Sequence, residues 1–107
     1  MNKQDLIKNS KRVVIKIGSA LLIDSKTGKL QKNWLESLAF DIHNLINSGV
    51  EVIIVSSGSI ALGKKQLCLK DNLSLDEKQA AAATGQITLA HAWKETMSKY
   101  KLDVAQI

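Results

Sequence analysis

Two short runs of β-branched residues, each closed by glycine and serine, constrain this chain most. Arg12-Val13-Val14-Ile15-Lys16-Ile17 has no helical period and stops at Gly18-Ser19. Val50-Glu51-Val52-Ile53-Ile54-Val55 has the same character and stops at Ser56-Ser57-Gly58-Ser59. Mostly apolar runs of this length are the pattern of parallel strands buried on both faces. A parallel pair cannot be joined by a tight hairpin, so a crossover helix must lie between them.

The intervening sequence supplies that helix. Asp24-Ser25-Lys26-Thr27-Gly28-Lys29 reads as a polar loop or hairpin tip. Asn33 then caps a helix whose stripe is Trp34, Leu35, Leu38, Ile42, Leu45 and Ile46. Ser48-Gly49 ends it. After the second strand, a short helix is expected from Ile60 to about Leu67. Ser74-Leu75-Asp76-Glu77 is a capping box that opens a longer helix reaching about Lys99. Its Ala80–Ala83 run and Gly85 leave a slim surface open to close approach by another backbone. Leu102-Asp103-Val104-Ala105-Gln106-Ile107 reads as a third strand.

Strand, helix, strand, helix, helix, strand predicts an α/β fold with a mainly parallel sheet. At 107 residues the chain suits one domain at most. Three parallel strands alone leave open edges, so residues 1–107 are expected to be a piece of a larger domain.

Composition narrows the function. Apolar residues make up 45% and charged ones 23%, which excludes a disordered chain. No apolar run approaches the roughly 18 residues of a membrane span, so no membrane association is expected. Cys68 stands alone and can form neither an internal disulfide nor a zinc site, so a reducing cytoplasm is expected. Residues 1–32 hold eight lysines and arginines against two acids, and the remainder is nearly balanced. Such asymmetry suits solvated lysines or an anionic ligand. Aromatics are only 4% of the chain, so base stacking is unsupported and nucleic acid is an unlikely partner.

Open parallel sheets bind ligands beyond the carboxyl ends of their strands. Gly18-Ser19 and Ser56-Ser57-Gly58-Ser59 both fall there. Glycine lets backbone amides approach a phosphate, and a helix start adds favourable potential. Lys16, two residues before Gly18, sits in an otherwise apolar strand, where its charge calls for a cavity or a partner. Gly58-Ser59-Ile60-Ala61-Leu62-Gly63-Lys64 has the spacing of a P-loop, but Lys65 replaces the required Ser or Thr and the interior is apolar. His43 reads as solvent-facing and His91 as packed or surface. Trp34, Phe40, Trp93 and Tyr100 read as core or interface. Two histidines and one cysteine form no metal-ligand cluster.

Val14-Ile15-Lys16-Ile17-Gly18-Ser19, Val55-Ser56-Ser57-Gly58-Ser59-Ile60-Ala61-Leu62-Gly63 and Lys78-Gln79-Ala80-Ala81-Ala82-Ala83-Thr84-Gly85-Gln86 together resemble the amino-acid kinase family. The first stretch is shared across that family. The other two resemble the branch that phosphorylates the γ-carboxylate of glutamate, the first step of proline biosynthesis. Ser59 stands where that branch has alanine. The resemblance implies the N-terminal part of a three-layer α/β sandwich with helices on both faces of its sheet. The rest of the kinase domain, and any C-terminal RNA-binding-like domain, would lie beyond Ile107. It implies ATP and L-glutamate as ligands, with Mg²⁺ held through the nucleotide phosphates. Lys16 matches the catalytic lysine that contacts the phosphates. Gly18, Ser19 and Gly58 match the phosphate loops, and Ser57 matches the serine that binds glutamate. It further implies that this stretch is inactive alone and acts in a homo-oligomer or with a complementing C-terminal fragment. The alternative expectation is a non-catalytic remnant or split subunit serving as an interaction module.

Overall fold

The computed structural model describes residues 2–106. Its elements are α1 (Lys3–Asn9), β1 (Arg12–Ile17), α2 (Ser19–Leu22), α3 (Lys32–Asn47), β2 (Glu51–Ser56), α4 (Ser59–Gln66) and α5 (Leu75–Ser98). β1 and β2 pair in parallel, with Arg12 opposite Glu51 and Ile17 opposite Ser56. The fold is therefore the expected mixed α/β arrangement, with α3 as the crossover.

The strands are half-buried rather than buried on both faces. Val13, Ile15 and Ile17 of β1, with Val52 and Ile54 of β2, are the less exposed residues and share one face. Ile17 joins Leu22, Leu35, Ala39, Ile42, Leu62, Leu89, Trp93 and Met97 in the core, and Ile15, Val52 and Ile54 pack against it. Val14, Ile53 and Val55 point the other way and are 60%, 44% and 48% exposed. Among the described residues, that second face is left largely open.

The third strand expected at 102–107 is absent over residues 102–106, and Ile107 lies outside the described residues. Past α5 the chain turns sharply at Lys101, whose φ is +57°, and the Leu102 amide donates to the Met97 carbonyl. Leu102 thereby tucks against the core, while Asp103–Gln106 stay exposed. A strand exists only through its ladder, and alternating residues without a neighbouring edge remain irregular. The same turn brings Tyr100 back onto His43, their rings stacked 4.9 Å apart. His43 is accordingly half-buried, not solvent-facing. His91 is on the surface beside Glu95.

Element ends follow local chemistry. α1, unanticipated from the sequence, is capped by Asn2, whose side chain accepts from the Asp5 amide at 2.8 Å. α3 starts at Lys32, just before the expected Asn33 cap. Ile23 and Leu30 bridge in antiparallel fashion, and the Gln31 amide donates to the Leu22 carbonyl, so the hairpin arm holds the chain up to residue 31. The capping box forms as read: the Glu77 amide donates to Ser74 Oγ at 3.2 Å and the Ser74 amide to Glu77 Oε1 at 3.0 Å.

The closest packing lies between α4 and α5. A Cβ added at Gly63 would fall 1.7 Å from the Ala81 carbonyl oxygen, and one at Gly85 would fall 1.7 Å from the Ser59 carbonyl oxygen. The helices thus touch backbone to backbone at two points. The slim surface around Ala81 and Gly85, read from sequence as open to another backbone, is occupied by this chain's own α4. Gly63 is a packing glycine inside a helix, and Lys64 pairs with Asp71, which removes the P-loop pattern from consideration.

Two outcomes are expected. Gly85→Ala forces backbone apart and lowers unfolding stability in urea by about 1–3 kcal/mol. Gly18→Ala, whose Cβ meets nothing within 4 Å, is neutral or stabilises by up to about 1 kcal/mol. Separately, hydrogen bonds from the Ser74 amide and then its hydroxyl hold the Glu77 carboxyl below its usual 4.5. A lowered acid stabilises the fold above its unfolded pKa, and the gain fades as pH falls through the lower folded value. The stability gap between wild type and Glu77→Gln therefore narrows as unfolding is measured below pH 4.5.

Candidate functional site

β1 and β2 run in register, so both carboxyl ends arrive together. The Ser57 amide and the Ser57 hydroxyl each donate to the Ile17 carbonyl at 3.1 Å. This clamps the turn after β2 onto the end of β1. Gly58 then adopts φ +115°, a left-handed conformation that favours glycine, and caps α4. A Cβ there would also sit 2.7 Å from Ile23 Cδ1 and 3.7 Å from Ser19 Cβ. The turns holding Gly18-Ser19 and Ser57-Gly58 are therefore in contact.

Lys16 lies in register with Val55, one residue before the strand ends. Its side chain is on the open face of the sheet and is exposed. Ion pairs among the described residues join Arg12–Glu51, Lys64–Asp71, His91–Glu95 and Lys99–Glu36, and Lys16 takes part in none. Arg12 is neutralised at the amino end of the pair, where its Nε and Nη2 donate to Glu51 Oε2 at 3.0 and 2.8 Å. Uncompensated charge on these strands thus falls at the carboxyl end, beside the two turns.

Gly18 is the informative glycine. Its φ is −79°, open to any residue, and an added Cβ would meet no atom of the chain within 4 Å. Neither backbone conformation nor internal packing calls for glycine here. Gly58, by contrast, is required by its φ and by Ile23. First-turn amides of a helix have no intrahelical acceptor, and neither Gly18 nor Gly58 supplies a side-chain cap to the helix it precedes. The arrangement offers backbone donors and one ammonium, the donor set that anionic oxygen prefers. The described residues contain no group of three His, Cys, Asp or Glu placed to hold a metal ion.

Sequence reasoning found Lys16, Gly18, Ser19, Ser57 and Gly58, and the structure places all five at one end of the strand pair. It missed Ile23, which packs beneath Gly58, and it read Gly85 as a surface for close approach without placing it against Ser59, the first residue of α4. The Gly63 and Gly85 pair was the available signal, since two glycines inside helices mark a close crossing.

Residues 11–107 match the model of the Amino acid kinase family, and the chain belongs to that family. Its curated relatives are more particular. It is 52% identical over 98 residues to a glutamate 5-kinase of Paramagnetospirillum magneticum, covering 92% of this chain and 26% of the relative. It is 55% identical over 102 residues to glutamate 5-kinase 1 of Rhizobium meliloti, covering 94% and 26%. A glutamate 5-kinase of Bartonella henselae is 54% identical over 98 residues, covering 91% and 26%. The chain thus spans about a quarter of the length of these relatives. No helix among the described residues is long and apolar enough to cross a membrane.

Because Lys16 is exposed and unpaired, Lys16→Met should leave unfolding stability within about 0.5 kcal/mol of wild type. Ser57→Ala removes a bond between strand ends and should cost about 0.5–1.5 kcal/mol in the same assay.

Proposed function

We propose that this chain is the N-terminal portion of a cytoplasmic, ATP-dependent glutamate 5-kinase and builds part of its phosphoryl-transfer site. The observation that carries this reading is the meeting of two Gly/Ser turns beside unpaired Lys16, at strand ends where Gly18 has no internal reason to be glycine. The relatives' shared name supplies the substrate class.

In the reaction, a γ-carboxylate oxygen of glutamate attacks the terminal phosphorus of ATP. The new O–P bond forms as the bond to the ADP oxygen breaks. Phosphoryl transfer depends on positioning and charge neutralisation more than on covalent help from the protein. Lys16 balances charge on the transferred group, as its place at the strand end and lack of an acidic partner favour. The Gly18-Ser19 turn and the Gly58 start of α4 orient phosphate oxygens through backbone amides. Ser57 commits its hydroxyl proton to the Ile17 carbonyl, which leaves its oxygen as an acceptor suited to the ammonium of glutamate. Mg²⁺, carried by the phosphates, would supply further charge neutralisation.

The open face at Val14, Ile53 and Val55 supports a second element of the proposal. The remaining length of such a kinase, in the same polypeptide or as a complementing fragment, covers it, and a homo-oligomer is the expected assembly. The chain alone should therefore show no glutamate-dependent ATP consumption.

A chimera tests this. This chain replaces the matching quarter of the Bartonella henselae relative, and glutamate-dependent ADP release is measured. Activity in the chimera, falling at least about 100-fold in Lys16→Ala, is the expected result. A folded chimera that binds neither substrate overturns the reading.

A further inference from the structure

A groove of about 610 Å³ lies away from the strand ends, between the 24–30 hairpin, the start of α3, and helices α4 and α5. Leu30 and Leu62 give it an apolar floor. Lys29, Lys32 and Lys65 line it from three different elements, with no Asp or Glu among the lining residues. None of the three enters an ion pair among the described residues. The loop's one carboxylate, Asp24, is taken up by the amides of Lys26 and Thr27 at 2.8 and 3.2 Å.

The lysines are not all loose surface groups. Gly28 has φ +67°, and a Cβ there would fall 2.6 Å from Lys65 Cδ, so the stem of Lys65 rests on the loop backbone. Next to it, Gln66 Nε2 donates to Thr88 Oγ1 and closes the wall between α4 and α5. Three like charges line one concavity and repel one another, and among the described residues no acid within ion-pair distance relieves them. An anionic guest would.

We infer that this groove is a second anion site, taking a small multivalent anion through Lys29, Lys32 and Lys65. It is separate from the phosphate turns, because Lys65 lies six residues, roughly 9 Å, along α4 from Ser59. Phosphate and carboxylate groups share the required chemistry, and the test distinguishes them.

Pyrophosphate and citrate are each titrated into the 107-residue chain by calorimetry at low salt. The expected result is a saturable site, weakened at least about tenfold in Lys29→Gln/Lys65→Gln. That site persists in Lys16→Gln and is restored in Lys29→Arg/Lys65→Arg, which keeps the charge. Tighter pyrophosphate binding assigns a phosphoanion, and tighter citrate binding a carboxylate. Circular dichroism checks that each variant is folded. Absence of a saturable site overturns the inference. So does a site that survives Lys29→Gln/Lys65→Gln and vanishes in Lys16→Gln, an outcome that would leave the phosphate turns standing.

Discussion

The backbone contact between α4 and α5 governs the arrangement of the site. Gly63 lies against Ala81 and Gly85 against Ser59, each at a separation that admits no side chain. Ser59 is the first residue of α4, and Gly58 is its cap. The second contact therefore fixes where α4 begins, and with it the turn that meets Ser19. Farther along, α5 carries Leu89, Trp93 and Met97 into the core shared with α3. One long helix thus ties the Gly58 turn to the crossover that makes the strands parallel.

The strands follow the same economy of contacts. Their inward residues, Ile15, Ile17, Val52 and Ile54, are held by the helices, and the hydrophobic gain from burying them sets the register. Their outward residues stay about half exposed within this chain. Lys16 shares that outward side with Val14 and Val55, so this candidate lysine sits at the border between apolar surface and open solvent. An ammonium there stays hydrated yet within reach of the strand ends.

Much of this was legible in the sequence. The ends of β1, the Ser74–Glu77 box and the Gly18 and Gly58 turns are local signals, and each appears where the residues put it, whereas β2 runs one residue later than read. What failed was non-local. Residues 102–107 alternate like a strand, but a ladder partner is a property of the surroundings, and the turn at Lys101 directs the chain elsewhere. The β-branched runs resembled doubly buried strands because apolar character records that a face is built to be covered, not by what. The Ala80–Gly85 stretch was correctly read as a surface for close approach, and only its occupant was misjudged. His43 was misread because its neighbour, Tyr100, comes from the far end of the chain. At the candidate site, the positions were legible because strand-end glycines and a lysine lie close in sequence. The support from Ile23 and Gly85 was not, because it arises from tertiary contact.

A joint made of side chains has give, since rotamers can change and gaps can refill. The crossing at Gly85 has none, because main chain rests directly on main chain. α5 extends about 20 Å from Gly85 to its C-terminal end at Ser98. It therefore behaves as a stiff lever pivoting where the compliance is least. Trp93 and Met97, packed in the core, and the Ser59 carbonyl, packed on Gly85, are thus held by one and the same helix. Geometry at the strand ends and packing at the opposite end of the helix rest on a single element.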